Sequence, residues 1–322
     1  MITYHQNGII SEIEYILGQN DPFAIQHDTC SGRDIFFYPG DALIRKLDSE
    51  LVNLADKFTG LYFPDLELYY KEVSNLPVGL LCGGQNSNIP IAKNEFLRLS
   101  EEFSPYFDSI YRHLYVGDCQ YLVYTIQNLL MSAEHCYLQY YIKIAQVDCK
   151  YSDLGEVLTV SNDESMQLLF YLETFFIKLY SILDMIVKII FELENPTETF
   201  DGIKKMKCSE KLWGDKKRLR INNCSGTVFE DCETVRIIES LRNEAVHNGT
   251  WEFRPRVFLE FNKQQIVERY MLFPDFDEGR LSSVKNRKHF FSAETKVNDI
   301  LVAIHDDFYT RLLATLRHIS KM

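Results

Sequence analysis

The chain reads as mainly α-helical, with a small β-hairpin insertion and an N-terminal region of mixed α and β character. Three observations predict this. Apolar residues return at alternating steps of four and three (Leu168, Leu172, Phe175, Leu179, Ile182, Ile186, Ile189, Leu193), with Leu169, Phe176, Leu183 and Ile190 as a flanking stripe. That period gathers them on one broad helical face. Two further stretches, 119–147 and 293–319, are apolar at helical spacing. Residues 251–261 and 266–273 instead alternate, which is the period of strands.

Taken in order, residues 1–92 form an N-terminal region of unknown role. Turn-forming pairs recur there, as in Asp21-Pro22, Pro39-Gly40 and Gly83-Gly84-Gln85-Asn86. Ile35 to Tyr38 predicts a short strand. Leu43, Leu47, Leu51, Leu54 and Phe58 predict a helix from Ala42 to Phe58. Residues 93–160 link onward through long helices. One runs from Lys93 to Leu114 with an interruption near Pro105, whose ring fits poorly inside a helix. Another runs from Cys119 to Val147.

Residues 161–322 form the helical domain. Its first helix starts at a cap, Ser161 or Asp163, and stops at Asn195-Pro196. A face this wide packs inside a bundle. Glu173, Lys178, Asp184 and Lys188 along it exclude a membrane span. A polar, basic stretch (197–228) precedes a helix from about Phe229 to His247. That helix is buried through Val235, Ile238, Leu241 and Ala245 and ended by Asn248-Gly249. The hairpin follows, and a terminal helix from Ala293 to Ile319 closes the chain.

A net charge of −12 argues against generic nucleic-acid binding, but the charge is uneven. Residues 1–150 hold 10 Lys and Arg against 19 Asp and Glu, whereas residues 151–322 hold 24 against 27. Eight basic residues cluster between 204 and 220: Lys204, Lys205, Lys207, Lys211, Lys216, Lys217, Arg218 and Arg220. A second run is Lys285-Asn286-Arg287-Lys288-His289. Such segments can hold a phosphate backbone even on an acidic chain, or simply be solvated loops. The 8 cysteines form no Cys-x-x-Cys pair, which points to reduced thiols and a cytoplasmic protein rather than a zinc knuckle. Met1 to Gln6 lacks the basic flank and apolar run of a signal peptide. Gly79 to Gly84 is not followed by the Gly-Lys-Ser/Thr of a phosphate loop, and no histidine has metal-ligand spacing. No metal and no cofactor are expected.

The residues that carry chemistry with a defined spacing are Arg242-Asn243-Glu244-Ala245-Val246-His247, followed by Asn248-Gly249. Arginine neutralises phosphate, and histidine moves protons near neutral pH. Asn243 can hydrogen-bond a phosphate or fix the imidazole. On a regular α-helix Asn243 and His247 share a face with Ser240 and Arg236, while Arg242 lies roughly 140° around from His247. One helix would then aim the two at different places, and a second copy of the motif across a cleft would complete the site. Glu173 and Asp184 are candidates to orient the Arg or the His. As ordinary polar positions, Asp184 and Lys188 have the i,i+4 spacing of an ion pair.

The long helix Leu172 to Asp184, followed by a helix ending Leu241-Arg242-Asn243-Glu244-Ala245-Val246-His247, resembles the HEPN superfamily over roughly residues 160–322. Its pattern is Arg, four to six residues, then His, often with a polar residue after the Arg. The resemblance implies an all-α bundle, usually a homodimer, and in many members a metal-independent endoribonuclease of defence or toxin systems. It implies Arg242, Asn243 and His247 as the catalytic residues and RNA as the substrate, with the 204–220 cluster guiding it. Members paired with nucleotidyltransferases often carry Tyr two residues after the His. Gly249 stands there, which disfavours the tyrosine-modified toxin subclass. Residues 1–92 lie outside the resemblance and could bind a regulatory protein partner. The alternative is a non-catalytic HEPN-like subunit, a helical interaction or nucleotide-sensing module of a larger complex.

Overall fold

The structure of the protein is a computed structural model, which describes residues 2–6, 9–13, 22, 24–28, 33–37, 41–82, 89–106, 110–149, 156–262 and 265–322. It is mainly helical. The chain divides into two compact units, each drawn from three segments. The first takes 1–46, 130–180 and 231–312, and the second takes 47–129, 181–230 and 313–322.

The N-terminal strands are β1 (Ile2–Gln6), β2 (Ile9–Ile13), β3 (Ala24–Asp28) and β4 (Arg33–Phe37). They form one sheet in the order β2-β1-β4-β3, with β1 and β4 parallel and the outer pairs antiparallel. The strand expected at 35–38 is thus β4, which starts two residues earlier; Tyr38 lies outside the described residues. Helix α1 (Asp41–Tyr62) follows, longer than the apolar repeat alone suggests. Two short helices, α2 (Leu66–Val73) and α3 (Val78–Cys82), were not legible as such; Asp65 caps α2 by accepting the Leu68 amide at 2.9 Å.

Helix α4 (Lys93–Phe103) gives way to a 3-10 turn at Ser104–Tyr106, because Pro105 has no N–H to donate back and its ring crowds the preceding turn. Residues 110–114 join the next helix, α5 (Ile110–Ile144), so the break expected between 114 and 119 does not occur. Gly117 costs roughly 1 kcal/mol relative to Ala inside it, and burial of Tyr115, Val116 and Cys119 on either side offsets that. Strand β5 (Val157–Val160) then pairs with the later hairpin.

Helix α6 (Asp163–Glu194) has the predicted span. Its cap is Asn162 rather than either neighbour: Asn162 Oδ1 accepts the Ser165 amide at 3.0 Å, and the Ser165 hydroxyl bonds Val160 O and Asn162 Oδ1. Helix α7 (Glu233–Asn243) begins four residues later than expected. The preceding segment is held as a turn, with Glu230 accepting the Ser225 hydroxyl and the Gly226 amide, both at 3.0 Å. Strands β6 (Val257–Asn262) and β7 (Gln265–Tyr270) form the expected hairpin, and β5 extends it to three antiparallel strands in the order β5-β6-β7. A small ladder, β8 (Phe276–Asp277) with β9 (Arg280–Leu281), precedes α8 (Val297–Ser320).

In the first unit the core gathers Tyr137, Leu172, Phe175, Phe176, Ile238, Leu241, Trp251 and Phe308, all buried. Phe176 meets Trp251 edge-on at 5.9 Å and Tyr137 lies 5.7 Å from Phe175, so the apolar face of α6 anchors the segment that follows α7. In the second unit Leu51, Leu54, Phe58, Val123, Ile186, Ile190 and Leu316 are buried. A satellite cluster joins Leu76, Leu80, Ile110 and Leu114. No helix among the described residues is long and apolar enough to cross a membrane.

Candidate active site

Helix α7 buries Val235, Ile237, Ile238 and Leu241, which fixes its rotation and leaves its C-terminal end at the surface. There the backbone does not continue as an α-helix. Glu244–Asn248 form a π-turn, ended by Gly249 at φ 91°, a left-handed value that suits Gly. The Asn-Gly stop signal is therefore real, but the turn before it is wider than the sequence implies.

This widening reverses the divergence expected for Arg242 and His247. An α-helix sets residues five apart on different faces, whereas i→i+5 bonding stacks them one above the other. Arg242 Nη1 lies 3.3 Å from His247 Nε2 and donates to Asn243 Oδ1 at 3.0 Å. A guanidinium has only donors, so the contact to the imidazole is a hydrogen bond when Nε2 carries no proton. The Arg242 guanidinium carbon stands 4.3 Å from the Tyr180 ring centroid on α6, a cation–π contact that orients it. Arg242 is half-buried, while Asn243, Val246 and His247 are exposed. All these residues belong to the first unit. One copy of the chain thus brings Arg, Asn and His together at one solvent-facing point.

Glu244, within the motif, has the opposite role. Its side chain is 5% exposed and takes Lys288, His289 Nε2 at 3.2 Å and Asn248 Nδ2 at 3.0 Å. Burial works against its charge, but the bonds from Lys288 and Asn248 and the charge of Lys288 outweigh it and hold the carboxyl below its ordinary value. Lys288 of the second basic run therefore neutralises Glu244, and with His289 it braces the π-turn. Glu244 sits three residues after the buried Leu241, and that spacing is the signal that it faces inward.

The other predicted residues are placed differently. Glu173 does not orient Arg242 or His247. It lies beside Thr250 and Trp251, just past the motif, and burial raises its pKa. Asp184 accepts the Trp213 amide at 2.6 Å, at the start of a 3-10 turn, Trp213–Arg218, and so orients that turn. Ser240 and Arg236 do not extend the site face. Ser240 donates to Gly279 O at 3.3 Å and Arg236 to Glu278 O at 2.6 Å, so both clamp the β8–β9 ladder to α7.

The basic cluster is not one open stripe. Lys204 pairs with Asp201. Lys207 donates to Asn195 O and Pro196 O, each at 3.1 Å, satisfying carbonyls at and just beyond the end of α6. Lys211 and Lys216 lie over the rings of Phe191 and Trp213. Lys205 pairs with Glu210, but the two are 74% and 85% exposed, so that pair yields readily to a phosphate. Lys217, Arg218 and Arg220 are exposed. The cluster reads as a collar around the end of α6 with a few open cations.

Fold and site together define a mainly helical protein that presents an Arg–Asn–His cluster on a π-turn. No family model matches the chain, and no curated protein or solved structure matches it.

Proposed function

We propose that the chain is a metal-independent endoribonuclease of the HEPN type, with Arg242, Asn243 and His247 as its catalytic residues. The observation that carries this reading is the 3.3 Å approach of Arg242 Nη1 to His247 Nε2 on an exposed π-turn. RNA cleavage without metal needs three things at one phosphate: a base for the ribose 2′-OH, an acid for the 5′-oxygen and a cation for the phosphorane. His247 Nε2 takes the 2′-OH proton, the 2′-oxygen attacks phosphorus and the P–O5′ bond breaks. The 5′-oxygen leaves with a proton from an imidazolium. Arg242 turns its N–H groups from the imidazole to the phosphate oxygens, with Asn243 as their neighbour.

The α-helical geometry that called for two copies no longer applies, since a single chain brings both side chains together. The count of imidazoles still favours a homodimer: two proton transfers and one histidine per site leave a role that His247 of a second copy fills. In this reading the protein is a defence or toxin-type effector of the cytoplasm, and residues 1–92 dock a regulatory partner.

One observation favours the alternative, a non-catalytic helical module. Arg242 is already satisfied by Asn243, His247 and Tyr180, as a purely structural arginine would be. Incubating the protein with total RNA in EDTA separates the two. Cleavage leaving 2′,3′-cyclic phosphate ends, lowered ~10²–10⁴-fold by His247→Ala and comparably by Arg242→Ala, supports catalysis. Intact RNA, or variants equal to wild type, sinks the assignment. A monomeric mass by light scattering under the assay conditions removes the second copy's role.

A further inference from the structure

Phe253 is the most open of the large hydrophobic side chains among the described residues, at 85% exposure against 62% for Val284, the next. Its segment is pinned on both sides. Trp251 is 2% exposed and packs on Phe176, Pro255 is buried, and Val257 is fully buried at the start of β6. Between them Thr250 and Glu252 close a local turn, with Thr250 Oγ1 donating to Glu252 O at 3.3 Å and accepting the Glu252 amide at 3.2 Å. Arg256 Nε then donates to Glu252 Oε1 at 2.8 Å, and the Glu252 side chain is only 9% exposed. This constrained loop holds the phenyl ring in water.

Two features give that ring an occupant. Arg254, the next residue, is exposed and cationic. Phe253 also lies six residues beyond His247, a length of chain that reaches at most about 20 Å. An aromatic face beside a cation, within a few nucleotides of a phosphate-binding Arg and a proton-transferring His, is the arrangement that holds an unpaired base and its backbone. A base in a duplex keeps its faces stacked on its neighbours and offers no such surface.

We propose that Phe253 is a stacking platform for an unpaired base, with Arg254 taking an adjacent phosphate. This deepens the ribonuclease reading and rests on it for the identity of the ligand.

The test reads binding apart from cleavage. Full-length protein is titrated into a fluorescein-labelled, single-stranded 2′-O-methyl oligoribonucleotide, whose blocked 2′-oxygen cannot attack. Phe253→Ala is expected to weaken binding by about tenfold or more, in line with the loss of one aromatic–base stack. Phe253→Tyr and Phe253→Trp retain affinity, whereas Phe253→Leu, which keeps apolar bulk without a π-face, falls with alanine. The indole fluorescence that Phe253→Trp adds over wild type is quenched by an unlabelled single strand and unchanged by a duplex of the same sequence. Equal affinity of Phe253→Ala and wild type, or rescue by leucine, overturns the platform. So does a change in light-scattering mass between Phe253→Ala and wild type, which would assign the ring to contact between copies. Cleavage that ignores Phe253 sinks this inference alone. Phe253-dependent binding without cleavage of natural RNA sinks the catalytic reading alone.

Discussion

Glu244→Ala tests whether the π-turn is held by its buried carboxylate. The substitution removes the acceptor for three donors, on Lys288, His289 and Asn248. Hydrogen bonds to a charged group contribute ~1.5–3 kcal/mol each when well shielded, and neutral ones less. Here Lys288 is 40% exposed and Asn248 is exposed, so both turn to water after the loss and their shares are screened. The net cost comes to about 3 kcal/mol, the lower edge for breaking a buried pair. At roughly 2–4 °C per kcal/mol for a chain of this order, the melting temperature falls by about 6–12 °C. Glu244→Gln keeps the volume and a neutral acceptor and loses about half as much.

The pH dependence has a definite sign. Glu244 is held below its ordinary value in the folded state. Its contribution is therefore full above the unfolded carboxylate pKa and lost as pH falls through the lower folded one. Thermal melts of wild type and Glu244→Ala should differ most near neutrality and converge as pH falls below the ordinary carboxylate value of 4.5. Melting curves that coincide at neutral pH, or a gap that stays constant into acid, would refute the bracing role. A second readout tests the site itself: cleavage, if present in wild type, should fall with Glu244→Ala below the melting range, because Arg242 and His247 meet only on the π-turn.

Two further outcomes are expected. His305 is fully buried between Glu134 and Asp306, at 2.9 and 2.8 Å, and although burial opposes its charge, the two carboxylates raise its pKa. Its stabilisation is thus complete below the ordinary histidine value of about 6.5 and fades as pH climbs through the higher folded one. The difference in urea midpoint between wild type and His305→Gln should shrink as pH rises above the ordinary histidine value of about 6.5, and a gap that widens would reverse the reasoning. The triple change Lys217→Gln, Arg218→Gln, Arg220→Gln neutralises the open end of the basic collar; if RNA follows it, the salt dependence of log K for a single strand should flatten by about 2. An unchanged slope would leave those residues with no part in RNA binding.

The helices were legible wherever one face is buried against many neighbours. The stripe from Leu168 to Leu193 states its own period, and α6 follows it from end to end. Strands β6 and β7 were visible for the same reason, as alternation. Strand β5 was not, because Val157 to Val160 are four residues whose assignment depends on pairing with Val257 to Glu260, about a hundred positions away. Likewise the two helices read as ending at Leu114 and starting at Cys119 share one continuous helix, α5, which runs through Gly117.

What the sequence determined by itself is chemistry and period: an arginine, an asparagine and a histidine placed at the end of a helix, with Asn248-Gly249 to stop it. Whether those side chains meet was a tertiary matter. Regular α-helical spacing separates Arg242 from His247, and a π-turn brings them to 3.3 Å. That turn is braced by Glu244 on Lys288 and His289, partners more than forty residues away, while Tyr180 on α6 orients the guanidinium. Local sequence encodes local periodicity. A single extra residue in a helical turn has no periodic signature, and the contacts that stabilise it become visible only when the distant segments are folded against it.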